Sequence, residues 1–231
     1  MRPPIIVFDL DGTLIDTAPD LIDSLNHALK DNGFDAVDRG LVGGQVGMGG
    51  RALIERVFAL NQRRVDPAMV ERHHEVFVAH YTAGIPGRSS PYPGVLEAIA
   101  RTAEAGYIFA ICTNKPQGMA RSLIERLGLS DLFGAVCGGD TFDFRKPDPR
   151  HLIETIEQAG GDPSRALMVG DSRTDIDTAK AAGIPVVAVD FGYTDRHVRE
   201  FEPSIVISHY DELTVALVER LIAAAIQDAR K

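Results

Sequence analysis

Apolar runs and helical patterns take turns along most of this chain, and that alternation constrains the fold more than any other feature. IIVFD leads into a long helical region, YIFAICT into PQGMARSLIERLG, FGAVCGGD into PRHLIETIEQAGG, and ALMVGD into RTDIDTAKAAG. PVVAVD, SIVIS and a helix from about Asp211 close the series. Strands that alternate with helices in this rhythm form a parallel sheet with right-handed crossovers. Unbroken apolar strands are what a sheet covered on both faces requires.

One segment breaks the rhythm. From about Thr17 to Arg88 no strong strand pattern occurs, whereas ALIERVFAL and PAMVERHHEVFVAHYTAG carry helical spacing. TAPD and the Pro/Gly/Ser-rich GIPGRSSPYPG bracket this span. The expected fold class is α/β. A doubly wound parallel Rossmann-like core, residues 1–16 and 89–231, carries an inserted small helical cap domain, residues 17–88.

The composition narrows the function. With 24 Lys and Arg against 33 Asp and Glu, the formal charge is −9, which argues against a nucleic-acid surface. No apolar run is long enough to span a bilayer. Charged residues interrupt MRPPIIVFDLDG too soon for a signal peptide, so a cytoplasmic location is the expectation. Cys112 and Cys137 belong to no CxxC pair and read as buried thiols of a reducing compartment.

In open parallel sheets, ligands bind beyond the carboxyl ends of the strands. The first strand ends in Asp9 and Asp11, the YIFAI strand in Cys112, Thr113 and Asn114. GGD and then Lys146 of RKPDP follow FGAVC, and ALMV is followed by Gly170, Asp171 and Ser172, with Asp175 one helical turn on. Any one of these acids alone reads more readily as a helix cap. Collected on one rim, they form a site. Buried carboxylates are costly unless something pairs with them.

These residues closely resemble the motifs of the haloacid dehalogenase superfamily of phosphohydrolases. The apolar strand followed by DxDGT is here Asp9-Leu10-Asp11-Gly12-Thr13, and the strand ending in Thr or Ser is here completed by Thr113. The Lys before Pro is Lys146, and GDxxxD supplies Gly170, Asp171 and Asp175. All four occur in the family's order, and the resemblance covers essentially the whole chain. It implies that Asp9 is the nucleophile that becomes an aspartyl-phosphate. Asp11 is then general acid to the leaving alkoxide and general base to water. Thr113 and Asn114 would hold phosphoryl oxygens, and Lys146 would neutralise charge and position Asp9. Counting these acids against that single lysine calls for a cation. Mg²⁺ suits Asp9, Asp171 and the backbone carbonyl of Asp11, with Asp175 in or just behind its ligand shell.

Within the superfamily, Asp11 sets dehalogenation aside. The similarity is closest to bacterial phosphoglycolate phosphatases, through GDSRTDIDTAKAAG, ICTNKP, GGD before KPDP, and VDFGYTD. GGQVGMGGRALIERV resembles the glycine-rich substrate loop of that group's cap. It contains Gly43, Gly44, Gly47, Gly49 and Gly50, and Arg51 is a candidate partner for a glycolate carboxylate. The expected partner is a small phosphorylated metabolite, 2-phosphoglycolate first, handled by a monomer or homodimer with no nucleic acid and no membrane. The alternatives are a phosphatase for another small or sugar phosphate, a β-phosphoglucomutase-like phosphomutase, and a non-enzymatic binding module. His73, His74 and His80 read as a solvated or mildly buried helix face, and Asp140 and Asp148 as loop or cap acids. Arg173 either touches phosphate or only salt-bridges on its helix, and Asp16 shapes the hinge.

Overall fold

A computed structural model describes residues 2–30, 33–38, 40, 44, 46–62, 64, 66–194 and 196–228. Gly43 and Asp195 lie outside the described residues. The strands are β1 (Ile5–Phe8), β2 (Ile15–Asp16), β3 (Ser90–Pro91), β4 (Ile108–Cys112), β5 (Ala135–Cys137), β6 (Ala166–Gly170), β7 (Val186–Val189) and β8 (Ile205–Ile207). The helices described over their whole length are α1 (Ala18–Leu29), α2 (Gly50–Leu60), α3 (Pro67–Gly84), α4 (Val95–Glu104), α5 (Gln117–Arg126), α6 (Pro149–Gln158), α7 (Arg173–Ala181) and α8 (Val215–Asp228).

Six strands form one parallel sheet in the order β5-β4-β1-β6-β7-β8. β1 is flanked by β4 and β6, and the winding reverses there. The crevice at such a reversal is where α/β sheets hold ligands. Successive β1 side chains face opposite layers. Ile6 and Phe8 pack with Val95 and Ile99 of α4 and Val218 and Ile222 of α8. Ile5 and Val7 pack with Leu152 and Ile156 of α6 and Ile176 and Ala179 of α7. Both faces of β1 are buried, so an all-apolar strand is the stable choice.

Between β2 and β3 the chain forms α1, α2 and α3, which pack on one another through Leu25, Leu53, Val57 and Phe77. β2 and β3 pair antiparallel, Ile15 with Pro91 and Asp16 with Ser90, so the outgoing and returning strands lie side by side. The last helix starts at Val215 rather than at Asp211, because Asp211 and Glu212 belong to a separate short turn that Glu212 and His209 cap reciprocally. Among the described residues, no helix is long and apolar enough to cross a membrane.

Candidate active site

The loops after β1, β4 and β6 bring the motif residues together. Asp9 leaves β1 with its amide N–H donating to the Val169 carbonyl of β6 at 2.9 Å. Gly12 follows with φ +83°, a left-handed conformation that glycine adopts without steric cost. A side chain there would run into the Asp171 carboxylate and the Tyr193 ring. The turn therefore presses the first motif onto the fourth.

Asp171, at the end of β6, is almost fully buried. Its Oδ2 accepts from the Tyr193 N–H at 2.6 Å and its Oδ1 from the Thr13 hydroxyl at 3.2 Å. Asp175 opens α7. Its Oδ2 accepts from the Ser172 hydroxyl at 2.6 Å and from the Ser172 and Asp171 amides, and its Oδ1 accepts from Lys146 Nζ at 2.6 Å. Protein donors thus occupy both oxygens of Asp175, as they do both oxygens of Asp171. Lys146 Nζ also lies 2.8 Å from Asp9 Oδ1. That contact is an ion pair, and Asp9 Oδ1 is buried beside the ammonium.

Thr113 is buried after β4, with its N–H on the Cys137 carbonyl at 3.0 Å. The Asn114 side-chain amide donates to the Lys146 carbonyl at 3.0 Å, which joins the second and third motifs. Gly138 and Gly139 belong to this packing. A Cβ on Gly139 would meet the Asn114 backbone at 2.6 Å, and the Gly139 N–H donates to the Lys115 carbonyl at 2.9 Å.

Asp11 stands apart from the other acids. Its carboxylate accepts from the Thr17 hydroxyl at 2.6 Å and from Lys115 Nζ at 2.9 and 3.2 Å. Lys115 corrects the sequence-based charge count, because the site holds two buried lysines and not one. Nothing in TNKP separates this lysine from a surface one; only the fold sets it beside Asp11. Tyr193 likewise carries no mark in the sequence beyond its place in VDFGYTD. Besides its bond to Asp171, its hydroxyl donates to Asp16 at 2.5 Å and accepts from the Ala18 N–H at 2.7 Å. Asp20 of α1 binds the returning strand through the Arg88 and Ser89 amides, each at 2.8 Å.

The electrostatics follow from burial. Desolvation, helped by the Asp175 and Asp11 charges and opposed by Lys146, pushes the Asp9 carboxyl up to about 6. Desolvation and the charges of Asp175 and Asp9 push Asp171 well above the carboxylate range. Burial works against the charge of Lys146 and Lys115, but their carboxylate partners outweigh it and hold both protonated. Burial pushes the Cys112 thiol up to about 12, so it is no nucleophile at neutral pH.

The residues fit a hard divalent cation. Oxygens of Asp9, Asp171 and Asp175 lie within 4.8 Å of one another. Four carboxylates face two ammonium groups, which leaves negative charge for a cation to offset. The Asp11 side chain, held by Lys115 and Thr17, is outside this group.

The remaining candidates are dispersed. Gly47 approaches the Tyr193 carbonyl, where a Cβ would sit 3.3 Å away. Gly49 caps α2 with φ +89°, and a Cβ on Gly50 would strike the Phe77 ring at 2.6 Å, so Gly50 lets α2 pack on α3. Arg51 is not gathered into the acid cluster; its half-exposed side chain ion-pairs with Glu71 of α3. Arg173 pairs with Asp177 on its own helix at 3.1 Å. Asp140 and Asp148 accept from the amides that open α5 and α6. His73 binds the Ala28 carbonyl at 2.9 Å, and His80 binds the Ser24 hydroxyl at 3.0 Å.

Comparison with known proteins agrees with this arrangement. Residues 6–189 match the family described as haloacid dehalogenase-like hydrolase. A phosphoglycolate phosphatase of Mesorhizobium japonicum is 67% identical over 225 residues, 97% of this chain and 99% of that protein. One from Agrobacterium fabrum is 47% identical, covering 95% of this chain and 94% of its own length. The crystal structure of a predicted phosphoglycolate phosphatase from Haemophilus somnus superposes with a TM-score of 0.83 at 29% identity, covering 92% of this chain and 97% of that one.

Proposed function

This chain belongs to the haloacid dehalogenase-like hydrolases, and from that premise we propose that it is a Mg²⁺-dependent phosphomonoesterase whose substrate is 2-phosphoglycolate. The observation that carries the chemistry is the convergence of Asp9, Asp171 and Asp175 around Lys146 at the end of β1. The substrate rests on the relatives named phosphoglycolate phosphatase, the first of which is 67% identical.

Asp9 attacks phosphorus, the P–O bond to glycolate breaks, and an aspartyl-phosphate forms. Asp11 gives the leaving alkoxide its proton, then takes one from the water that attacks the phosphorus and releases phosphate. Lys146 and Thr113, with the backbone N–H of Asn114, balance the charge on the phosphoryl oxygens. Mg²⁺ would be held by Asp9, Asp171 and the Asp11 backbone carbonyl, with Asp175 behind them. When bound, it supplies charge neutralisation at the phosphoryl group and keeps the buried acids ionised. Residues 17–88 act as the cap, closing over the site and excluding water from the wrong step. Gly47 and Gly49 lie in the loop before α2, and Gly50 opens that helix.

Phosphate release from 2-phosphoglycolate, several sugar phosphates and pyrophosphate, with Mg²⁺ or with EDTA, tests this reading. The expected result is metal-dependent release that favours 2-phosphoglycolate and disappears in Asp9→Asn. Preference for a sugar phosphate would overturn the substrate, and release unaffected by Asp9→Asn would overturn the mechanism.

A further inference from the structure

The leaving-group side of the site contains a buried cation to which the mechanism above gives no role. Lys115 is 9% exposed, and its ammonium holds both Asp11 oxygens, at 2.9 and 3.2 Å. The same ammonium lies 4.4 Å from the centroid of the Tyr81 ring, which α3 brings from the inserted helices. Three segments therefore meet at one charge: the loop after β1, the loop after β4, and α3.

Asp11 touches the leaving oxygen if it is the acid. A group within hydrogen-bond reach of Asp11 is near enough to the leaving oxygen to reach the next atoms of the leaving group. In an ester of a 2-hydroxy acid, the carboxylate begins one carbon beyond that oxygen. An ammonium at this radius is placed to meet it, and a charge-assisted contact there is strong because the site excludes water.

A second observation points to the same ligand. The Tyr81 hydroxyl is buried next to the Lys115 ammonium and makes no well-aligned hydrogen bond among the described residues. A buried phenol and ammonium side by side are two donors that one acceptor can satisfy together. A carboxylate offers two oxygens, so it can accept from an ammonium and a phenol together. Arg51, the candidate suggested by sequence, is 53% exposed and already paired with Glu71.

We propose that Lys115, with the Tyr81 hydroxyl, binds the carboxylate of a small 2-phosphorylated hydroxy acid. A lysine of the core then selects acidic leaving groups, in place of an arginine of the cap. This rests on the phosphatase reading above and adds the residue that recognises the leaving group.

The test compares kcat/KM for 2-phosphoglycolate and for p-nitrophenyl phosphate, whose leaving group has no carboxylate. Lys115→Met lowers activity on both, because Asp11 loses its partner. The expected signature is a fall of roughly ten-fold or more in the ratio of the two values, with Lys115→Arg keeping most of the ratio. Tyr81→Phe lowers the ratio by a smaller factor. Equal losses on both esters would overturn the proposal and leave Lys115 as a positioning residue for Asp11. Inhibition of the wild-type enzyme needs no variant to fold. Glycolate should compete with p-nitrophenyl phosphate roughly ten-fold better than glycolamide, and equal competition would overturn the proposal. If wild type cleaves neither ester, the phosphatase reading fails first; if it cleaves both without preference, only the carboxylate site falls.

Discussion

Lys146 Nζ lies 2.6 Å from Asp175 Oδ1, and both side chains are shut away from solvent. The same ammonium stands 2.8 Å from Asp9, so one lysine ties the loop after β1 to the first turn of α7. Breaking a buried pair by removing one partner costs more than the pair contributes, because the other charge stays buried. Lys146→Met should therefore lower unfolding stability by about 3–5 kcal/mol and abolish phosphate release. Urea unfolding at neutral pH measures the first effect, and an unchanged midpoint would contradict it.

Gly12→Ala tests the contact between the first and fourth motifs. The φ of +83° costs an alanine about 1–2 kcal/mol, and its methyl group meets the Asp171 carboxylate. The fold should survive while Asp171 shifts. The expected reading is a higher Mg²⁺ concentration for half-maximal activity; an unchanged Mg²⁺ dependence would show that Asp171 is not displaced.

Mg²⁺ should stabilise the protein as well as activate it. A ligand that binds only the folded state adds about 2.7 kcal/mol at a hundred times its dissociation constant. Thermal unfolding should move upward with Mg²⁺ and return with EDTA. Asp171→Asn should suppress that rise, whereas an equal rise in this variant would place the cation elsewhere.

His151 gives the stability a pH dependence. It is fully buried, and its Nδ1 accepts from the Lys146 N–H at 3.2 Å. Burial first, then the Lys146 charge, lowers its pKa from 6.5 to about 4. Between those values the unfolded chain binds a proton that the folded chain does not, so stability falls as pH drops through this window. The loss is on the order of 3 kcal/mol. Urea unfolding of wild type and His151→Gln across the window should show a shallower pH slope in the variant. Parallel slopes would assign the dependence to other groups.

The parallel sheet was legible because buried strands must be apolar throughout, and the winding of the chain then fixes which strand ends share a rim. Asp9, Asp171 and Asp175 follow from that rule without any knowledge of side-chain positions. Lys115 was not legible, since a lysine between Asn114 and Pro116 carries no local mark of burial. Its role comes from Asp11, which is 104 residues away in sequence. Tyr193 is similar: it acts on Asp171 and on Asp16 through two different atoms, and no spacing encodes that. Arg51 shows the opposite case, a residue whose local sequence and whose contact point different ways. Its place beside a glycine-rich loop suggested an anion, while Glu71 on the neighbouring helix provides its counter-charge.

The central claim is double displacement through Asp9, and the stereochemistry at phosphorus tests it most directly. An isotopically chiral phosphorothioate analogue of 2-phosphoglycolate would be hydrolysed in labelled water and the configuration of the product determined. Attack by Asp9 followed by attack of water inverts phosphorus twice, so the account predicts net retention. Net inversion would mean that water attacks the substrate directly, and Asp9 would not be the nucleophile.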